Sequence, residues 1–195
     1  MLKIALGTSN PHKLEEINAM IKNSQAENIE FVLVDGKFDP LENGTSFEEN
    51  SYIKAAEAAK IMGMPALADD TGLCVDALNG RPGIYSARYA PDQKSKISKL
   101  LKEMENVPTE KRTAHFICTM TLVAPNGKKL HTQTGKIDGI IDKTPFGEHG
   151  FGYDPVFYVP ELSKTMAEMT LEEKNTLSHR AHALLPMIEW IKSNI

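Results

Sequence analysis

The stretch LKIALGTSNPHKLEEINAMIKN, residues 2–23, decides the class of fold. It opens with a short apolar run of the kind a buried strand makes, crosses the polar turn Thr8-Ser9-Asn10, and then repeats Leu14, Ile17, Met20 and Ile21 at helical spacing. That is a strand, a turn and a helix. Outward from it, IEFVLV (29–34) reads as a second strand and DGKFDPLENGT (35–45) as a loop carrying glycine, proline and asparagine. An alanine-rich helix follows from Ser46 to about Met62, with Ser46 and Glu49 spaced as a capping box. PALAD (65–69) and GLCVDAL (72–78) are short strand-like pieces on either side of an acid pair, Asp69-Asp70, and NGRPGIYSARYAPD (79–92) is a loop.

QKSKISKLLKEME (93–105) has the pattern of an amphipathic helix, and residues 112–141 alternate apolar and polar on both sides of PNGK, the signature of a long β-hairpin. A loop, KTPFGEHGFGYDPVFYVPE (143–161), leads to a C-terminal helix with the apolar stripe Leu177, Ala181, Leu184, Ile188 and Ile191, in which Pro186 should kink or break the helix. Helices alternating with strands, plus one hairpin, imply an α/β fold: a mixed sheet flanked by helices.

A chain of 195 residues, 41% hydrophobic, is sized for one large or two small domains. Its net charge of −4 argues against general attraction to nucleic acid or an anionic membrane, so an anionic ligand must be bound by a local cluster. Two cysteines, Cys74 and Cys118, sit in apolar runs without a CxxC pair, as in a protein of the reducing cytoplasm. No segment approaches the roughly 18 apolar residues of a membrane span, and the N-terminal run is too short for a signal peptide. The expectation is a soluble cytoplasmic protein.

Several short motifs could carry chemistry. At Thr8, Ser9 and Asn10 free backbone amides and hydroxyls meet the positive end of a helix, a setting that suits phosphate, and Lys13 one turn in adds a full charge. An ordinary N-cap with a solvated lysine explains the same residues. The segment LENGTSFEENSYIKAAEAAK (41–60) offers Glu42, Glu48, Glu49, Asn50 and Lys54, and a loop carboxylate is a plausible magnesium ligand. Asp69 and Asp70 stand where a strand ends, with side chains on opposite faces, so at most one points into a given site. GEHGFGYDPVF (147–157) mixes glycines, aromatics and an acid in a way suited to stacking on a planar base. His179 and His182 lack an evident third metal ligand.

Together TSNPHKLEEI, FEENSYIKA, ADDTGLCVDALNGRPGIYSARYA, GFGYDPVF and MTLEEKNTLSHRAHAL resemble, in family order and over nearly the whole chain, the inosine triphosphate pyrophosphatase family, whose bacterial members are called XTP/dITP diphosphatases. The resemblance implies an elongated two-lobed α/β fold with a long central mixed sheet, a nucleotide cleft between the lobes, and a homodimer. It implies that residues 1–195 form a single pyrophosphatase domain that converts ITP, dITP or XTP to the monophosphate and pyrophosphate with magnesium. By position, Thr8, Ser9, Asn10, Pro11, His12 and Lys13 would belong to the triphosphate site, joined by Lys54. Glu42 and Asp70 would face magnesium, with Glu49 the alternative to Glu42, and Asp70 matches the proton acceptor. Thr71 stands where many members have serine. Phe151, Gly152, Tyr153 and Asp154 would line the base pocket, and Lys174, His179 and Arg180 would close it over the purine. A nucleotide sensor and a pyrophosphatase of Maf-like kind are the rival readings.

Overall fold

The computed structural model describes residues 1–24, 28–34 and 38–195; positions 35–37, the start of the loop read at 35–45, lie outside the described residues. Along the chain come β1 (Leu2–Leu6), α1 (Pro11–Asn23), β2 (Ile29–Leu33), α2 (Phe47–Met62), β3 (Ala66–Val75), α3 (Gln93–Glu103), β4 (Thr113–Val123), β5 (Lys129–Ile141), β6 (Phe157–Val159), β7 (Lys164–Thr165), α4 (Leu171–Leu177) and α5 (His179–Asn194). The strands form one sheet in the order β2-β1-β3-β4-β5-β6-β7. β1 runs parallel to β2 and β3, whereas β6 is antiparallel to β5 and β7, so the sheet is mixed. The hairpin expected around PNGK joins β4 to β5, its turn closed by Ala124 N–H to Lys128 O at 2.9 Å.

The chain divides into two compact units, and the division falls inside β3, β4 and β5. The first holds Met1–Asp70, Cys118–Gly135 and Arg180–Ile195. Here the two-residue repeat of the strands sorts side chains onto two cores. Ile4, Leu6 and Leu67 pack with Ile17 and Met20 of α1 and with Ala181, Leu184, Ile188 and Ile191 of α5. Ala5, Ala66 and Ala68 pack on the other side against Ala55, Ala58 and Ala59 of α2. The alanine surface lets α2 approach closely: a Cβ added to Gly7 would stand 3.1 Å from Ala68 Cβ and 3.2 Å from Ala58 Cβ. The second unit, Thr71–Ile117 and Lys136–His179, has its own core of Leu73, Val75, Leu100, Met104, Phe116, Ile141 and Phe157.

Three local expectations change. PALAD and GLCVDAL fall on one ten-residue strand, β3, which runs through the acid pair because each acid meets a cation that offsets the repulsion between them. The C-terminal helix is two helices, α4 and α5, parted at Ser178, whose φ of −75° and ψ of 158° are extended. That break takes Leu177 out of the apolar stripe and leaves it 36% exposed, while α5 continues through Pro186 to Asn194. At the start of α2, Ser46 Oγ accepts from Glu49 N–H at 3.1 Å, but the Glu49 carboxylate accepts chiefly from Thr45, at 2.6 Å from N and 2.8 Å from Oγ1. Only the serine half of the capping box is regular.

In the second unit the guanidinium of Arg112 is buried and donates to Ile141 O at 2.6 Å, Met104 O at 2.8 Å and Asp142 O at 3.1 Å, joining the end of α3 to the end of β5. Removing it takes a charged donor from all three carbonyls at once. Arg112→Met should lower the unfolding free energy by about 3 kcal/mol, since each hydrogen bond from a charged donor contributes roughly 1.5–3 kcal/mol, and urea denaturation measures it.

Candidate active site

The sorting of β3 side chains continues from Leu67 and Ala68 into the acids. Asp69 falls on the α1/α5 side and Asp70 on the α2 side. Asp69 Oδ2 accepts from Lys13 Nζ at 2.7 Å, lies 3.8 Å from Arg180 Nη2 and accepts from the Cys118 thiol at 3.8 Å. Arg180, almost wholly buried at the start of α5, pairs through Nη1 with Glu16 of α1. Asp70 Oδ1 is 3.3 Å from Lys54 Nζ, and its Oδ2 accepts from Asn50 Nδ2 at 3.2 Å. Glu42 Oε1 reaches the same Lys54 ammonium at 2.6 Å. Asn50 Oδ1 in turn accepts from Gly44 N–H at 2.9 Å, which secures the loop that carries Glu42.

Among the described residues, this cluster of the first unit joins four carboxylates to three cations. Burial pushes the Asp69 carboxyl up, but Lys13, Arg180 and Lys54 outweigh it and hold the group well below the usual carboxylate range. For Asp70 burial wins: the carboxyl lies above its ordinary value, Lys54 and Lys13 oppose the rise, and Glu42 and Asp69 add to it. Burial would lower Lys54, yet Asp69, Asp70 and Glu42 raise it above an ordinary lysine. Adjacent acids on one strand are thus pushed apart, leaving Asp70 the better proton acceptor.

The N-terminal motif is a helix cap in its own right. Asn10 Oδ1 accepts from His12 N–H at 3.0 Å and Lys13 N–H at 3.4 Å, and Thr8 Oγ1 accepts from Asn10 N–H at 3.2 Å. Ser9, Pro11 and His12 are exposed beside this cap. Glu49 is exposed and engaged by Thr45, whereas Glu42 is the acid drawn to Lys54.

In the second unit Thr71 follows the acids on β3, half-buried. Lys174 of α4 puts its ammonium 2.5 Å from Asp154 Oδ2, which also accepts from Phe151 N–H at 3.1 Å. Gly150, at φ 76°, has a backbone conformation that favours glycine, and a Cβ there would push aside Asp154 Oδ2 and Lys174 Nζ. Gly152 N–H donates to Gln93 Oε1 at 3.2 Å. Tyr153 turns into the core and its hydroxyl donates to Ser86 O at 3.0 Å, while the buried His179 ring stacks on Phe116 at 4.8 Å. Arg180, read from sequence together with Lys174 and His179, pairs with Glu16 and lies 3.8 Å from Asp69. Among the described residues no group of three or more His, Cys, Asp or Glu side chains is arranged to hold a metal ion, and His182 is exposed.

Sequence reading did not single out Glu16 or Cys118. Glu16 had a signal, since it lies one turn beyond Lys13 and therefore on the same face of α1. Cys118 had none.

The Ham1 family profile matches residues 4–190. The chain belongs to the Ham1 family. It is 47% identical over 192 residues to a Geobacter sulfurreducens protein named dITP/XTP pyrophosphatase, with 94% of each chain covered. A Geobacillus kaustophilus protein of the same name is 44% identical, covering 97% of this chain and 94% of its own. Among solved structures a HAM1 protein from Coxiella burnetii superposes with a TM-score of 0.87 at 38% identity, covering 99% of this chain and 100% of the other. The Staphylococcus aureus Ham1 protein gives 0.86 at 35% identity over the same shares. No helix of this Ham1 chain among the described residues is long and apolar enough to cross a membrane.

Because the Asp69 pKa is below its unfolded value of 3.8, the stability it contributes is complete above that pH and is lost as pH falls beneath it toward the folded value. Asp69→Asn should therefore cost about 3 kcal/mol at pH 7, the cost of breaking a buried pair. Denaturant titrations at descending pH should show that difference shrinking below about pH 4.

Proposed function

We propose that this chain hydrolyses non-canonical purine nucleoside triphosphates, dITP, ITP and XTP, to the monophosphate and pyrophosphate, with residues 1–195 working as one pyrophosphatase domain in a cytoplasmic homodimer. The observation that carries the reading is the pair of lysines, Lys13 and Lys54, each held on one of two adjacent acids of β3. Cations poised over a polyphosphate beside a carboxylate of raised basicity are the parts that phosphoanhydride hydrolysis needs. The names of the relatives, dITP/XTP pyrophosphatase, support the same reaction.

In this reading the cap residues Thr8, Ser9 and Asn10, with Pro11 and His12 shaping the turn, meet the phosphates at the N-terminal end of α1. Lys13 and Lys54 offset the charge that develops on departing pyrophosphate. Asp70 orients a water toward the α-phosphorus and accepts its proton, so no covalent nucleophile is required. Glu42 and Asp70, two carboxylates that already share one ammonium, suit a hard cation that takes oxygen ligands, and they would hold magnesium. A polyphosphate adds further negative charge to a cluster that already holds several carboxylates. Magnesium would supply charge neutralisation there. Thr71, Phe151, Gly152, Tyr153, Asp154, Lys174, His179 and Arg180 are assigned to the nucleoside. A donor such as the Lys174 ammonium prefers the 6-oxo acceptor of hypoxanthine or xanthine to the 6-amino donor of adenine.

Incubation with dITP and magnesium should release pyrophosphate, not orthophosphate, with one monophosphate per turnover; tight binding without turnover would make the protein a sensor instead. Chelation of divalent metal should abolish release and added magnesium should restore it. Asp70→Asn should lower kcat by about a hundredfold or more, the usual contribution of a general base, with the circular dichroism spectrum unchanged.

A further inference from the structure

Lys13, Asp69, Arg180 and Glu16 form a chain of contacts that leaves α1, crosses β3 and α5 and returns to α1 one turn later. We propose that Asp69 is a positioning residue for Lys13: anchored by Arg180, its carboxylate fixes the Lys13 ammonium at the opening of α1 in the orientation that stabilises the leaving pyrophosphate. The proposal rests on the function given above and assigns a task to the acid that the hydrolytic reading leaves unused.

Three observations carry it. First, the hold is direct and enclosed, with Lys13 Nζ at 2.7 Å from Asp69 Oδ2 and the two side chains only 14% and 3% exposed. A lysine on a flexible four-carbon stem at a helix opening otherwise spreads over many rotamers, so this contact selects one. Second, Asp69 is itself held, by Arg180 Nη2 at 3.8 Å and by the Cys118 thiol at 3.8 Å, and Arg180 is balanced by Glu16. Neutralising Lys13 would need the carboxylate alone; the closed circuit adds direction. Third, an ammonium has three donors, so one can stay on Asp69 while two turn toward phosphate oxygens. Asp69 lies on the opposite face of β3 from Asp70, so it does not compete for the attacking water.

Charge and positioning make opposite predictions. If Asp69 were only a negative charge near the phosphates, Asp69→Asn would tighten substrate binding and leave kcat intact. If it positions Lys13, the loss falls on an interaction that strengthens in the transition state. For dITP with magnesium, Asp69→Asn should lower kcat by about tenfold or more with KM unchanged or lower. In a Lys13→Met background the same change should add no further loss. Full additivity, or a risen KM at wild-type kcat, would overturn the proposal.

Acetic anhydride labelling read by peptide mass spectrometry tests the hold without turnover. Lys13 should label about tenfold faster in Asp69→Asn than in wild type, while Lys174, buried against Asp154, keeps its rate. Equal Lys13 rates in both proteins would remove the hold, and a joint rise at Lys13 and Lys174 would mean general loosening, which also overturns it. Wild-type protein that releases no pyrophosphate from dITP defeats the functional reading, whereas the labelling result still decides the hold. Should Asp69→Asn fail to fold, Asp69→Glu keeps the charge and displaces the carboxylate by one methylene; wild-type kcat and wild-type labelling in that variant would sink the proposal.

Discussion

The arrangement of the first unit depends on the two-residue repeat of β3 where it passes through Asp69 and Asp70. Two like charges side by side in a buried strand are tolerable only if each finds its own cations, and the repeat sends them to different helices. Lys13 and Arg180 come to one acid from α1 and α5, and Lys54 comes to the other from α2. The apolar residues just before the acids obey the same rule, with Leu67 on the α1/α5 core and Ala66 and Ala68 on the α2 core. Packing and electrostatics are therefore set by one geometric fact.

The environments then divide the labour. Asp69 has cations close enough to overcome burial and stays a fixed anion, whereas Asp70 is buried beside Glu42 and Asp69 and gains basicity. A similar economy operates in the second unit, where a single carboxylate, Asp154, receives both the Lys174 ammonium and the Phe151 amide, and Gly150 provides the space. In both units a short carboxylate side chain holds a long cationic one and selects among its rotamers.

Much of the fold was legible. The strand–turn–helix at residues 2–23, the alanine-rich helix ending at Met62 and the hairpin around PNGK all appear where periodicity and turn residues put them. Misreadings cluster where local composition was overruled by partners far along the chain. The polar DDTG suggested a break, yet lysines 56 and 16 positions away keep β3 continuous. Leu177 fitted a helical stripe, yet the extended Ser178 before α5 removes it from the core.

By itself, then, the sequence determined the α/β class, the order of its main elements, the alternation that separates Asp69 from Asp70, and a set of motifs that marks a Ham1 chain. These follow from patterns a few residues long, which is the range over which backbone periodicity and turn chemistry act. Only the tertiary structure decided which partners the charges take: Glu42 rather than Glu49 on Lys54, Arg180 with Glu16 and Asp69, Cys118 at the same carboxylate. Ion pairs and buried hydrogen bonds join residues that sequence distance keeps apart, and their strength depends on the burial that packing alone creates.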